Sequence, residues 1–197
     1  MQENTTRLEK EELYVSVDIE TSGPIPFEYS LLAIGACLVN DPTQTFYLEL
    51  QPVNDRFSFE ALQISGLSLE RLKETGSPPA EAMRAFQEWL ERQTPPGARP
   101  VFVAFNAPFD WMFINTYFLH YLGSNPFGHN ALDIKAFIMG RRGGTWSNTS
   151  LRVLSPLYLD GQPLTHNALE DACVQAKLFQ AAFIEANPVP EPQEKAR

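Results

Sequence analysis

The polar and apolar positions first repeat every second residue. In residues 13–20 (LYVSVDIE), Leu13, Val15, Val17 and Ile19 face one way; Tyr14, Ser16, Asp18 and Glu20 face the other, which predicts a strand. A turn-rich stretch follows through Pro24 and Pro26. Residues 31–39 (LLAIGACLV) predict a second strand and 46–50 a third, after a turn at Asp41 and Pro42. The short connections imply an antiparallel meander.

The period then becomes helical. Residues 68–74 predict a short helix capped by Ser68. Residues 79–92 predict a longer one, with Ala82, Phe86, Trp89 and Leu90 as its apolar stripe. A Pro/Gly connector (94–100) leads to a short buried strand at 101–105 (VFVAF) and an aromatic, largely buried helix at 109–122. A brief strand end at 131–134 precedes a helix to Met139, and 140–148 (GRRGGTWSN) reads as a flexible loop. Residues 150–158 form a helix that Pro156 must disturb or end. The last helix spans 167–186, with Leu169, Ala172, Ala176, Phe179 and Phe183 on one face, and Asn187 with Pro188 stops it. Strands followed by alternating helices and strands predict an α/β fold with a mixed sheet. The domain occupies 13–186, between a polar tail (1–12) and a Pro-rich, charged tail (187–197).

Composition narrows the class. The 197 residues, 44% hydrophobic and 20% charged, suit one globular domain. No run reaches the roughly 18 apolar residues of a membrane helix. The polar start predicts no signal peptide, and a cytoplasmic location is expected. Cys37 and Cys173, each among apolar neighbours, are expected to be buried thiols. A net charge of −9 argues against a protein that grips long duplexes. An enzyme that holds only a strand end contacts few phosphates, and bound metal ions can supply positive charge locally.

Asp18 and Glu20 sit at i and i+2 of an otherwise apolar strand, so their carboxylates share a face roughly 6.5 Å apart along the backbone. Such a pair either meets a divalent cation, Mg²⁺ or Mn²⁺ by its oxygen ligands, or ends the strand in solvent. Asp110 lies near the start of the helix after 101–105; it is either a ligand or a first-turn acid that complements the helix dipole. In 166–171 (HNALED), Asn167 is a good N-cap and Glu170 completes a capping box. His166 and Asp171 then occupy the two positions that meet in a hydrophobic staple, so an imidazole could stand beside a carboxylate.

Taken together and in this order, the motifs VDIETSG, NAPFDW and HNALEDA resemble those of the DEDDh (DnaQ-like) 3′–5′ exonucleases, which include polymerase proofreading subunits, RNase T and oligoribonuclease. Further resemblance lies at 32–37 (LAIGAC), 64–67 (ISGL), Leu132-Asp133 and Ser150-Leu151, so that it covers roughly residues 13–184. His166 stands five residues before Asp171, as in the His branch of the family; a Tyr four before would mark the other branch, and that position is Asn167. The sequence departs from the pattern at Phe105, where the family often has His; that position is outside the metal-binding set.

The resemblance implies an RNase H-like fold, a mixed five-stranded sheet flanked by helices. It implies two divalent cations, Mg²⁺ or Mn²⁺, held by Asp18, Glu20, Asp110 and Asp171, with His166 as general base. Thr21, Ile64 and Phe109 are expected to touch the terminal nucleotide, and Arg141 and Arg142 either close over phosphates or form a solvated connector. The expected substrates are 3′ ends of single-stranded nucleic acid or short oligonucleotides of DNA or RNA, with no membrane partner. A homodimer is expected from relatives. The competing reading is a catalytically silent or partner-dependent module of the same fold, such as a polymerase-associated proofreading component.

Overall fold

The structure, a computed structural model, describes residues 11–186. Five strands form one sheet: β1 (Glu12–Thr21), β2 (Leu31–Leu38), β3 (Thr45–Glu49), β4 (Arg99–Ala104) and β5 (Ala131–Asp133), in the order β3-β2-β1-β4-β5. β1, β2 and β3 are antiparallel neighbours, whereas β4 and β5 run parallel to β1. The expected meander and mixed sheet are therefore present. After β3 the chain returns to the far side of β1, which makes the carboxyl ends of β1 and β4 a topological switch point, where open α/β sheets form crevices.

The helices are α1 (Phe59–Ser65), α2 (Leu69–Thr75), α3 (Pro79–Gln93), α4 (Ala107–Leu122), α5 (Ile134–Arg142), α6 (Leu151–Tyr158) and α7 (Ala168–Ala186). The alternation read in β1 separates two cores. Val15, Val17 and Ile19 pack with Phe86 of α3 and Phe113, Tyr117 and Phe118 of α4. Tyr14 packs on the opposite face with Ile138 of α5, Leu154 of α6 and Phe179 of α7. β2 is buried along its whole length, as a central strand covered on both faces must be.

One element escaped the sequence reading and three expectations need correction. The seven residues of α1 bury no side chain and so show no apolar stripe to announce a helix at 59–65. Residues 140–148 are not a plain loop: α5 continues to Arg142, Gly143 ends it with φ +72°, and a 3₁₀ turn covers Trp146–Thr149. Pro156 neither ends nor breaks α6 before Tyr158. Cys173 is only half buried, while Cys37 is fully buried. Of the tail expected at 1–12, residues 1–10 lie outside the described residues, as does the tail expected at 187–197, and Glu12 already belongs to β1. Among the described residues no helix is long and apolar enough to cross a membrane.

Candidate active site

Asp18 and Glu20 occupy the carboxyl-terminal half of β1 and point to the α7 side of the sheet, away from Val17 and Ile19. Asp18 pairs in register with Gly35 of β2. A Cβ at Gly35 would lie 2.2 Å from the backbone of Ala168. Glycine at this position therefore lets the first turn of α7 rest directly on the sheet, and that brings Asp171 to Asp18.

Asp110 and Asp171 arrive by the same local device. Each stands four residues after the Asn that precedes its helix, Asn106 for α4 and Asn167 for α7. Asn167 caps as expected: its Oδ1 accepts from the amides of Leu169 (3.1 Å) and Glu170 (3.1 Å). Asn106 works differently; it takes a left-handed conformation (φ +68°) that turns the chain from β4 into α4, with no side-chain cap. Both Asp110 and Asp171 are buried.

Asp18, Glu20 and Asp110 each stand in the field of neighbouring carboxylates. Burial, then Asp110, Glu20 and Asp171, raise the proton affinity of Asp18 well above the carboxylate range. Burial, then Asp171, pushes Glu20 up to about 8. Burial pushes Asp110 up to about 8, although backbone amides at Asp110 and Ile19 favour its charged form. No cation relieves this: the described ion pairs use none of these four acids. Glu20 accepts no hydrogen bond among the described contacts, so its oxygens remain open. Oxygen ligands of this kind, buried at Asp110 and Asp171 and half-buried at Asp18 and Glu20, with no cation paired to them among the described ion pairs, fit Mg²⁺ or Mn²⁺. Among the described residues no three acidic or imidazole side chains are already arranged around a single point. The donor chemistry therefore fits, with ions held by fewer carboxylates each and by water or substrate, as Mg²⁺ commonly is.

His166 and Asp171 do meet, but not as expected. Asp171 accepts from the backbone amides of Thr165 (2.7 Å) and His166 (3.0 Å), which holds His166 in a left-handed conformation with φ +58°. The imidazole itself is exposed and makes no described hydrogen bond to Asp171. The backbone occupies the staple position because a buried carboxylate takes the nearest strong donors.

Thr21, Ile64 and Phe109 line one cavity of about 380 Å³, with Gly23, Pro24, Ser58, Glu60 and Ala61. It abuts the acidic cluster through Thr21 and Phe109, the chain neighbours of Glu20 and Asp110. Its outer wall is α1, fastened by Ser22, whose carbonyl accepts from the Ser58 amide (2.7 Å) and whose Oγ donates to the Arg56 carbonyl (2.8 Å). Ile64 is 46% exposed, so its apolar surface faces the cavity or solvent rather than the core. Arg142 instead donates to Tyr158 Oη at 2.7 Å, at the far end of α5.

Gln175 escaped the sequence reading. It lies one turn after Asp171 on α7 and is 2% exposed. Its Oε1 accepts from the Phe105 amide (2.8 Å) and its Nε2 donates to Asp18 Oδ1 (2.5 Å). The Phe105 amide can only donate, so it sets the orientation of the Gln175 carboxamide and leaves Nε2 to hold Asp18. The one available signal was a Gln four residues after Asp171, hence on the same helix face. Asp133 is a second such support: its two oxygens accept from Ala107 (2.7 Å) and Ala136 (2.6 Å), joining the starts of α4 and α5.

Comparison with known proteins places these features. Residues 15–179 match the model of the RNase T exonuclease family. The chain is 45% identical over 169 residues to the 3′-5′ DNA exonuclease Cap18 of Escherichia coli, covering 86% of this chain and 90% of that one. Its fold superposes with a TM-score of 0.72 on the nuclease domain of 3′hExo, described as a DEDDh family member bound to rAMP (16% identity, 91% of this chain, 94% of that one). It superposes with a TM-score of 0.62 on Schizosaccharomyces pombe Pop2p in its Mg²⁺- and Mn²⁺-bound form (17% identity, 89% and 83%). The fold is thus RNase H-like.

Proposed function

Because the chain belongs to the DEDDh family of 3′–5′ exonucleases, we propose that it uses two divalent cations to remove nucleoside 5′-monophosphates one at a time from the 3′ ends of single-stranded DNA. The observation that carries this reading is the convergence of Asp18, Glu20, Asp110 and Asp171, unneutralised, beside the cavity of Thr21, Ile64 and Phe109. The preference for DNA is supported by the 45% identity to a DNA exonuclease.

Asp18, Glu20, Asp110 and Asp171 are the residues that would hold the ions. When bound, such ions stabilise charge on the attacking and leaving oxygens of an in-line displacement. The protein groups do the rest. Gln175 fixes Asp18 in one rotamer, so that its second oxygen is directed away from the Gln175 amide. The Thr21 backbone meets the terminal sugar. Ile64 and Phe109 offer apolar surface to an unstacked base, which favours an unpaired end. His166, exposed on its left-handed turn, accepts the proton of the attacking water and passes it to solvent. Mg²⁺ and Mn²⁺ are the ions of choice on the chemistry of the four carboxylates, and both occupy the Pop2p structure.

The test is to incubate 5′-labelled single-stranded DNA and RNA with the protein and Mg²⁺ or Mn²⁺, beside an Asp18→Ala control and EDTA. A ladder shortening from the 3′ end of DNA, absent in both controls, is expected. Faster digestion of RNA would overturn the choice of DNA. Intact substrate after incubation with folded protein would overturn the activity itself.

A further inference from the structure

A nucleic-acid strand is a polyanion, whereas this chain carries a net charge of −9. Among the described ion pairs, Arg56, Arg71, Lys73 and Arg99 each face a carboxylate. Lys135 is in none of them. Its ammonium instead lies 4.2 Å from the ring centre of Trp146 and 5.7 Å from that of Phe105. Aromatic faces hold a cation in place without cancelling its charge.

The position of this cluster is set by the fold. Lys135 is in the first turn of α5, at the carboxyl end of β5, the same end of the sheet as the acidic cluster. β5 is two strands from β1, so this turn stands on the order of 10 Å from Asp18. Two links make the relation rigid. Asp133 joins the start of α5 to the start of α4, the helix of Asp110. Phe105, one of the rings beneath Lys135, is joined through Gln175 to Asp18. The cavity of Thr21, Ile64 and Phe109 is bounded by β1 and α1, whereas Lys135 follows β5 at the sheet edge beyond β4. Trp146 remains 49% exposed despite its contact with Lys135.

We propose that Lys135 and Trp146 form a subsite for the nucleotides just upstream of the scissile bond, the ammonium binding a backbone phosphate and the open part of the indole stacking on a base. This rests on the 3′–5′ exonuclease reading: with the terminal base in the cavity and the scissile phosphate at the carboxylates, the strand leaves over β4 and β5. The subsite explains how an acidic protein retains a strand: it places one unpaired cation and one stacking surface where the strand emerges.

Binding and turnover separate the two claims. Fluorescence anisotropy with a 5′-labelled DNA strand of about twelve nucleotides, measured in an Asp18→Asn background, reads affinity without cleavage. Lys135→Gln is expected to weaken binding roughly tenfold and to reduce the slope of log affinity against log salt by about 0.7, one phosphate contact on a single strand. Trp146→Ala should weaken binding by a similar factor and Trp146→Phe much less, because it keeps a stacking ring. In an otherwise wild-type protein, Lys135→Gln should raise KM for the longer strand and leave a dinucleotide, which has no upstream phosphate, unchanged. Unaltered affinity and salt slope in Lys135→Gln, with thermal melts showing a folded protein, would overturn the subsite, as would equal kinetic defects on both substrates. Failure of the wild-type protein to digest either strand would instead refute the exonuclease reading, and the anisotropy result would still decide the subsite.

Discussion

Replacing Glu20 by Gln should stabilise the metal-free protein while destroying its activity. Glu20 is charged when unfolded at neutral pH, but burial and Asp171 push it up to about 8 in the fold. The folded state therefore binds more protons than the unfolded one between the ordinary carboxylate value and about 8. In that window stability falls as pH rises, and below it the penalty is absent. At about pH 7.5 the full displacement corresponds to about 4 kcal/mol, and allowing for the solvent-facing part of the side chain leaves about 2–3 kcal/mol. For a domain of this size, that is a rise in Tm of about 5–10 °C for Glu20→Gln. The assay is a pair of thermal melts in EDTA, at about pH 7.5 and about pH 5. The variant should be the more stable at the higher pH and nearly equal to wild type at the lower. Adding Mg²⁺ at the higher pH should raise the wild-type Tm and shrink or reverse the difference. A variant no more stable than wild type in EDTA at about pH 7.5, or equally favoured at both pH values, would refute the view that burial and Asp171 disfavour the charged form of Glu20 in the fold.

Other consequences follow from single contacts. Gly35→Ala puts a methyl group against the Ala168 backbone and should destabilise the protein by about 1–3 kcal/mol, measurable by urea unfolding, with loss of turnover as α7 is displaced from Asp18. Gln175→Leu leaves the Phe105 amide without its acceptor and frees Asp18, so Mn²⁺ affinity by calorimetry should fall about 10–100-fold, more than the change in Tm alone accounts for. His166→Ala keeps the backbone amide that Asp171 binds; kcat should drop about 10²–10⁴-fold while metal affinity stays near wild type in the same titration. Asn167→Ala removes the cap of α7 and should cost about 1 kcal/mol in chemical denaturation.

Local rules made much of this protein legible before folding is considered. The two-residue period of β1 assigned its core face and placed Asp18 and Glu20 together, because side chains on a strand alternate whatever else surrounds them. Asn167 declared the start of α7 for an equally local reason, since its side chain reaches amides only two and three residues away. The motif order, compared with a known family, marked all four acids, His166 and three of the residues that line the cavity. Pairings across the chain were not legible. That Gly35 seats α7 on the sheet, that Gln175 joins Phe105 to Asp18, and that Asp133 ties two helix starts all depend on residues far apart in sequence, brought together by burial of the two cores. The same holds for α1, which has no buried stripe to announce it and is held by Ser22. The turn of His166 depended on a carboxylate choosing between an imidazole and two backbone amides. Sequence spacing could bring those groups near one another; only the buried setting of Asp171, which favours the strongest fixed donors, decided for the amides.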